Sequence, residues 1–453
     1  MISVQSRRLL LSGNKCLFIV LLAILFNACS TTESLPRRKK GKAKQRTHTK
    51  VKIQPKVDTV QWTVVDEEEH PPISDGSNRG LDLLDEYVID VLFPFDLNEV
   101  RKEDLTDVEN RYINYYAGML MAIDILDNQG KKLTINMNDI GDRKRDIKRS
   151  MSSLVSSKSN VIVAPFHKDQ VKAVADYGKR KKIPVVSPWL VSSTVTKDNP
   201  YYIKLMPDIT EYYFAIMEDI AKRFSKEQVV LVGDASDRNK LDYLQELALT
   251  LFDEVTEEEG IEEYIVEMDS LANGVAAFDN IFDRQDTLVV VVPNYSGSDE
   301  SYIYGCVRRL SVEKGETPVV IYGMPIMLNS ERMEYDYFNS LNMCVARSKF
   351  VDKYNERVKA FEQDYLARFG SIATEDAYEG YDMMMYLGES LWKYGREFQY
   401  HLDQRSDYYL QSAFNIQKKH PKTAIASEKF DEIDYFVNKQ VDIIRFKENK
   451  FSR

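Results

Sequence analysis

The chain has 453 residues, of which 43% are apolar and 29% are charged, and its acidic side chains outnumber the basic ones by 71 to 61. A single hydrophobic core stops growing at about 250–300 residues, so this length predicts two lobes or more. A formal net charge of −10 excludes a general nucleic-acid binder, because neutralising phosphates requires a basic face. The 11% share of aromatic residues also excludes a chain that is disordered throughout.

The first 28 residues are predicted to be an export signal. Arg7, Arg8 and Lys15 precede an uninterrupted apolar run at residues 16–26. A membrane-spanning helix needs roughly 20 apolar residues, so this run is too short to span a bilayer and suits the hydrophobic part of a signal peptide. Residues 25–30 resemble a bacterial lipoprotein signal, in which cleavage leaves a lipidated cysteine, here Cys29, as the new N-terminus. An ordinary signal peptide is the alternative.

Residues 29–85 are predicted to be a flexible tether. Residues 37–46 carry seven basic side chains in ten, and an acidic triplet at 67–69 and two prolines at 71–72 follow. Like charges repel one another and stay solvated, which favours an extended chain. Basic residues beside a lipid anchor would also be attracted to anionic headgroups.

Cysteine and histidine supply no pattern of metal ligands. Apart from Cys16 in the signal and Cys29, only Cys306 and Cys344 remain, and the five histidines are scattered, with no CxxC or HExxH spacing. We therefore predict no metal and no cofactor. Two buried free thiols are expected, with a disulfide between them as the alternative in an oxidising compartment.

From residue 86 onward, strand and helix patterns alternate. Apolar runs predict strands at 87–93, 133–137, 161–164 and 183–187, and then at 228–232, 263–266, 287–292 and 319–322. Helical periodicity predicts helices between them, at 110–128, 143–157 and 168–180, and then at 212–224, 237–252, 271–283 and 298–311. Two such series predict an α/β fold of two doubly wound, parallel-sheet lobes, with a ligand cleft at the carboxyl ends of the strands.

The same region resembles the type I periplasmic-binding-protein fold of branched-chain amino-acid-type substrate-binding proteins, over about residues 86–450. The likeness rests on short motifs that follow one another in the family order. They are 116–118 (YAG) with 122–124 (AID), 161–165 (VIVAP), 182–188 (KIPVVSP), 199–201 (NPY), Phe361 with Tyr365 and 369–370 (FG), and 377–382 (AYEGYD). The segments 394–398 and 437–446 are similar to a lipoprotein branch of this family found in Bacteroidetes.

The resemblance implies that the chain crosses between the lobes three times, near Pro207, Ala346 and Arg396. It thereby assigns residues 86–207 and 347–396 to lobe one. Residues 208–346 and 397–453 would form lobe two. Three crossings favour a hinge that bends to close the cleft.

The resemblance also locates the candidate ligand contacts, and several depart from the family pattern. Ser187 keeps its place, but Trp189 follows where small and hydroxylated residues are usual. Phe166 and His167 stand where a serine is common. On the second lobe Tyr295 is a retained aromatic residue, whereas residues 323–325 (GMP) offer no acid for an ammonium group. An amino-acid clamp is therefore not expected. Phe166, Trp189 and Tyr295 would instead line an apolar or stacking cleft, or Trp189 packs the lobe interface and nothing small binds.

Two functions remain open, and neither is enzymatic. No GxSxG, GxxxxGK[ST] or GxGxxG motif occurs in the required context, so we predict no enzyme and no catalytic residue. The first function is an envelope lipoprotein whose two-lobe domain is a degenerate ligand-binding module or a scaffold for envelope proteins or peptidoglycan. The second is a solute-binding lipoprotein that delivers amino acids or another small molecule to an ABC transporter. Either would be held by its lipid and face the periplasm, on the outer membrane rather than the inner.

Overall fold

The computed structural model describes residues 81–95, 107–141, 145–253, 255–256, 259–273, 276–278, 280–283, 286–421 and 432–453. The predicted signal peptide, Cys29 and the predicted tether up to residue 80 lie outside these ranges. Among the helices within them, none is long and apolar enough to cross a membrane. The same ranges contain no cluster of acidic, histidine and cysteine side chains suited to a metal ion.

The strands follow one another along the described chain in the expected alternation with helices. They are β1 (Tyr87–Phe93), β2 (Leu133–Asp139), β3 (Val161–Val163), β4 (Val185–Ser187), β5 (Tyr202–Lys204), β6 (Val229–Gly233), β7 (Glu262–Ile265), β8 (Leu288–Val292), β9 (Val319–Gly323), β10 (Cys344–Arg347), β11 (Ser406–Tyr408), β12 (Ala413–Lys419), β13 (Tyr435–Asn438), β14 (Asp442–Lys447) and β15 (Lys450–Ser452).

The helices lie between these strands. They are α1 (Asp107–Asn128), α2 (Met151–Leu154), α3 (Lys168–Lys181), α4 (Ile209–Ala221), α5 (Arg238–Leu251), α6 (Met268–Ala272), α7 (Glu300–Glu313), α8 (Ile326–Asn329), α9 (Tyr335–Ser340), α10 (Glu356–Phe369) and α11 (Glu375–Tyr394). Two predicted helices are much shorter than expected. Among the described residues of the segment 143–157, the α-helix is α2, where serines weaken the helix. Among those of 271–283, it is the end of α6, which stops before an Asn-Gly pair.

Two mostly parallel sheets form the two lobes, as predicted. The first has the order β11-β12-β13-β5-β4-β3-β1-β2, and the second has the order β15-β14-β10-β9-β8-β6-β7. Pairing is parallel from β13 through β5, β4, β3 and β1 to β2, and from β10 through β9, β8 and β6 to β7. The antiparallel strands lie at one edge of each sheet. The central strands are apolar and fully buried because helices cover both faces.

The chain passes between the sheets three times: after β5, after β10 and after β13. The third crossing differs from the expected one near Arg396, because β11, β12 and β13 pair in the first sheet, not the second. Their apolar side chains, including Phe414, Ile416 and Phe436, pack into the first core. The last crossing therefore lies between Asn438 and Asp442, and only the end of the segment 397–453 belongs to the second lobe.

The end of the predicted tether is packed on the first lobe. The backbone N–H of Arg396 donates to the Asp82 carbonyl at 3.2 Å, and the guanidinium of Arg396 forms an ion pair with the Asp82 carboxylate. The backbone N–H of Leu84 donates to the Tyr87 hydroxyl at 3.0 Å. These contacts fix the chain where it enters β1, so residues 82–85 belong to the folded lobe.

Two long helices, α1 and α11, cross at very close range over the first sheet. A Cβ atom added to Gly118 would lie 1.8 Å from the carbonyl oxygen of Ala377, and one added to Gly380 would lie 2.0 Å from that of Tyr115. Only glycine allows the backbones to approach this closely. The crossing sets the position of the Tyr115 ring, which lies at the cleft end of β1.

Candidate functional site

The cleft edge of the first lobe is formed where β1, β3 and β4 end. Carboxyl ends of parallel strands meet at one edge of a sheet, and ligands of doubly wound proteins bind there. Phe93 ends β1, Phe166 follows β3, and Ser187 and Trp189 come at and after the end of β4. The structure therefore brings the first-lobe residues predicted from the sequence to one edge.

Trp189 is packed inside a group of aromatic rings at this edge. Its ring centroid lies 4.7 Å from that of Tyr115, 5.4 Å from that of Phe93 and 5.8 Å from that of Tyr112. The more exposed ring of Phe166 lies 6.3 Å away on the solvent side. Aromatic pairs at such separations contribute about 0.5–1.5 kcal/mol each beyond the area that they bury. Trp189 is therefore held by the core of its own lobe.

Very little space remains between these rings. A cavity of about 40 Å³ is lined by Trp189, Phe166, Tyr112 and the ion pair of Arg111 and Asp376, whose Nε–Oδ1 distance is 3.0 Å. A pocket for a small-molecule ligand usually measures about 300–1,000 Å³, and one water occupies about 30 Å³. At about 40 Å³ the cavity is several times smaller than such a pocket and has room for a few water molecules rather than an amino acid.

Ser187 and His167 do not open into this cavity. Ser187 is fully buried, and its hydroxyl lies beside that of Tyr202 on the neighbouring strand β5. Burial raises the pKa of Tyr202, so this phenol stays protonated. His167 precedes α3 without capping it by a side-chain hydrogen bond, and it lines a separate open cavity of about 460 Å³ beside Arg145.

The second lobe presents Tyr295 beside a buried ion pair that sequence reasoning missed. The Tyr295 side chain is half exposed, and the Lys240 ammonium lies 5.4 Å from its ring centroid. Lys240 Nζ also lies 2.5 Å from an oxygen of Asp237 and 3.7 Å from one of Asp299. The only available signal was the three-residue spacing of Asp237 and Lys240, which places them on one face of a helical turn.

The carboxylate of Asp237 is fully occupied by donors from its own lobe. It accepts hydrogen bonds from the Asn294 side-chain amide at 3.0 and 3.1 Å and from the backbone N–H of Asp234 at 3.0 Å, besides the bond from Lys240. Burial alone would raise the pKa of Asp237, but these donors outweigh it and lower the pKa, so the group stays ionised. This acid is already neutralised and does not face the cleft as a free ligand for an ammonium group.

A buried carboxylate fastens the segment that precedes β12 onto α11. Asp382 accepts the backbone N–H groups of Leu410, Gln411 and Ser412 at 3.0, 2.8 and 2.7 Å. Burial raises the pKa of Asp382 to about 7, although the three N–H groups act to lower it. Ser412 also pairs with Lys349 in an isolated bridge, so this carboxylate fixes the segment beside the second crossing.

Ion pairs hold the first and second crossings. Lys204, at the end of β5, is fully buried and forms an ion pair with Asp208, which also binds Lys419 of β12 with an Nζ–Oδ2 distance of 2.6 Å. After the second crossing Lys349 binds Glu379 of α11 at 2.6 Å. Removing one member of a buried pair leaves an uncompensated charge, which is strongly destabilising. The crossings are therefore anchored segments rather than free linkers.

Of the five predicted cleft residues, the structure brings Phe166 and Trp189 into contact. Ser187 lies behind them in the sheet, and His167 lines a different cavity. Tyr295 belongs to the other lobe and makes its ring contact with Lys240. Whether any of the five binds a ligand stays a prediction.

Two mostly parallel α/β sheets joined by three crossings define the class of two-lobe, periplasmic-binding-protein-like folds. The family model described as "Receptor family ligand binding region" matches residues 115–406, and the chain belongs to this family. No curated protein matches the chain.

Several solved structures of similar fold are bacterial ABC-transporter proteins. One is a branched-chain amino acid ABC transporter periplasmic ligand-binding protein from Burkholderia xenovorans, with 12% identity and a TM-score of 0.52, covering 81% of this chain and 92% of its own. Another is an ABC-type branched-chain amino acid transporter from Rhodopseudomonas palustris, with 12% identity and a TM-score of 0.53, covering 80% of this chain and 92% of its own. At these identities the likeness concerns the fold alone.

Proposed function

We propose that this protein is an envelope lipoprotein facing the periplasm, in which the two-lobe fold is a degenerate ligand-binding module that serves as a scaffold for other envelope components. The observation that carries the proposal is the packing of Trp189 against Phe93, Tyr112 and Tyr115. This ring occupies the strand end after Ser187, where the family resemblance implies that the carboxylate of an amino-acid ligand would be held.

The electrostatics of both lobes argue against a bound amino acid. Its carboxylate would meet aromatic rings on the first lobe. Its ammonium would meet Tyr295 and the like charge of Lys240 on the second, because the nearby Asp237 is already paired. An uncompensated ion in a closed cleft costs several kcal/mol, more than the roughly 1.5–3 kcal/mol that burial of one apolar side chain returns.

A second candidate function is a solute-binding lipoprotein of an ABC transporter with an apolar or aromatic ligand. It is favoured by the exposed ring of Phe166 beside Trp189 on one lobe and the half-exposed ring of Tyr295 on the other. Closure of the hinge would bring such rings to opposite faces of a flat solute. This reading needs a ligand that carries no charged amino-acid backbone.

Thermal unfolding of the protein with a panel of solutes separates the two functions. With each of the twenty amino acids at millimolar concentration we expect no rise in Tm. A ligand at about 100 times its Kd would add roughly 2.7 kcal/mol. A reproducible rise with Leu, Ile or Val that is lost in Ser187→Ala would overturn the scaffold proposal. A rise only with aromatic compounds, lost in Trp189→Ala, would establish the second function.

Anchoring is tested separately from the cleft. Cys29→Ala should release the protein from membranes or block its processing, and a palmitate analogue should label the wild type alone. One acyl chain anchors only marginally, so two or more are expected on Cys29. An unlabelled wild-type chain would contradict the lipoprotein assignment and leave the ordinary signal peptide as the explanation of residues 1–28.

A further inference from the structure

A second concave surface lies on the first lobe, at the edge opposite the cleft. It is an open groove of about 800 Å³, formed where the chain enters β3, β4 and β5. We call it the amino-edge groove. Its lining includes Ser152, Ser157, Asn160, Tyr177, Lys181 and Tyr201. Its volume falls within the range of about 300–1,000 Å³ that is typical of ligand sites.

Hydrogen-bond donors dominate the lining of the amino-edge groove. The hydroxyls of Ser152, Ser157, Tyr177 and Tyr201 make no hydrogen bond with the described part of the chain. Asn160 is held by its own Oδ1, which accepts the Val88 backbone N–H at 2.8 Å. That bond leaves the Nδ2 group of Asn160 as a fixed donor. A ligand rich in oxygen acceptors would satisfy these groups.

Two of these donors are set in place by burial. Tyr177 is 7% exposed and Asn160 is 9% exposed, so little rotamer freedom remains to be lost when they bind a ligand. The ring of Tyr177 is packed in the core on α3, and the residue also lines the groove. A surface with fixed polar groups in a concavity is pre-organised for binding, unlike a convex face of mobile lysines.

Positive charge is concentrated along one side of the groove. Residues 179–182 are Lys, Arg, Lys and Lys, at the end of α3, and the exposed Lys181 and Lys182 line the groove. At another part of the rim the guanidinium of Arg396 is paired with Asp82, and the carboxylate of Glu397 also lines the groove, so the rim is basic only on the side of Lys181 and Lys182. Ammonium groups beside hydroxyl and amide donors suit an anion that also carries neutral oxygen atoms.

We propose that the amino-edge groove binds an acidic glycan, a sugar chain that carries carboxylates on its sugars or on peptides attached to them. Sugar hydroxyl and acetamido oxygens would accept from Asn160, Tyr177 and the serines, and a carboxylate would pair with Lys181 and Lys182. A membrane headgroup fits less well, because a compact phosphate leaves most of the donors unused, and no exposed large apolar side chain lines the groove. The inference rests on the proposed envelope location, where acidic glycans are found, and is independent of the cleft.

Binding of the full mature chain to defined glycans tests this proposal. The experiment has two arms. Co-sedimentation with purified peptidoglycan sacculi tests for a cell-wall glycan. Calorimetric titration with oligogalacturonate tests for an acidic polysaccharide. Neutral chito-oligosaccharides control for sugar without charge. Glycerophosphoglycerol, the free headgroup of phosphatidylglycerol, controls for charge without sugar. We expect binding in one carboxylated arm, weakened by added salt because the charge pairs are exposed.

Three variants show whether the groove is the site. Lys181→Glu with Lys182→Glu should weaken binding by about tenfold or more, from the loss and reversal of two surface ion pairs. Lys181→Gln with Lys182→Gln removes the charges without placing acids at the end of α3, and Ser157→Trp fills the groove without changing charge. The matched control is Lys447→Glu with Lys450→Glu, two exposed lysines that face each other across β14 and β15 on the other lobe. The control pair should change the affinity by less than about twofold.

The outcomes separate this inference from the proposed function. Three results would overturn the groove proposal: no binding in either carboxylated arm, an equal loss of affinity in the control pair, or tighter binding of glycerophosphoglycerol. Each would do so even if no amino acid stabilises the protein, the result that the proposed function predicts. Trp189→Ala, at the opposite edge of the sheet, should leave glycan binding unchanged. A loss of glycan binding in that variant alone would move the site to the cleft and refute the groove.

Discussion

Replacing Trp189 by alanine tests whether this ring is part of the packed lobe or a mobile ligand contact. The substitution removes ring contacts with Phe93, Tyr112, Tyr115 and Phe166. Core Trp→Ala substitutions cost about 3–5 kcal/mol, and because Trp189 is only partly buried we expect the lower end, about 3 kcal/mol. For a unit of 150–250 residues, the size of one lobe, this lowers Tm by about 6 °C or more.

The assay is urea unfolding followed by circular dichroism, with Trp392→Ala as the matched control. Trp392 packs against Tyr87, at a ring-centroid distance of 5.8 Å, and so lies in the same core away from the cleft. Both variants should lose stability. Only Trp189→Ala should then be stabilised by added indole, because its new apolar cavity opens toward the cleft.

Two results would refute this account of Trp189. A loss below about 1 kcal/mol would mean that the ring contributes little to the core, as expected of a residue that swings into the cleft to hold a ligand. Stabilisation of the wild type by indole, greater than that of the variant, would mean that the indole ring of Trp189 is a binding platform.

Three further predictions concern the framework. Gly118→Ala should destabilise the protein by several kcal/mol in chemical denaturation, because its Cβ would overlap a carbonyl of α11. The control Gly297→Ala, whose Cβ would have no atom within 4 Å, should cost about 1 kcal/mol or less. Similar losses of stability in the two variants would contradict the close crossing. Burial raises the pKa of Asp382 to about 7, above its unfolded value of about 3.9, so the stability that it contributes is present at low pH and is lost as the pH rises from about 4 to about 7. Asp382→Asn should be less stable than the wild type, because the amide accepts fewer N–H groups. Its urea midpoint should change less than that of the wild type between pH 4.5 and pH 8. An equal change with pH in the two proteins would refute the assignment. Cys306 and Cys344 are buried free thiols, with the pKa of Cys306 raised to about 12 by burial, so both should react with a thiol reagent only after unfolding; rapid reaction of the folded chain would contradict this.

Much of the fold could be predicted because its central strands carry a strong local signal. β6 and β8 are nearly pure valine and leucine, and such runs indicate strands covered on both faces. The assignment of β12 and β13 failed because nothing local tells which sheet an edge strand will join. Their place depends on Phe414 and Phe436 packing in a core that includes residues more than three hundred positions earlier, such as Tyr87 and Phe93.

The candidate site was predictable in its residue types but not in its contacts. The sequence could show that Trp189 stands where the family has a small residue, because the position is counted directly from the neighbouring Ser187. It could not show that Tyr112 and Tyr115 enclose the ring, because their orientation depends on the close crossing of α1 with α11. The pairing of Asn294 with Asp237 joins positions 57 residues apart and has no sequence signature.

The order in which the chain supplies its strands also bears on when the protein can fold. The first sheet is completed by β11, β12 and β13, and the second by β14 and β15, the last of which ends at residue 452. A chain that emerges N-terminus first therefore exposes the central strands of each lobe well before the edge strands that complete its sheet. Contacts between distant segments form slowly, and here they also form last. Folding of either lobe therefore depends on pairing between strands that lie far apart in the sequence.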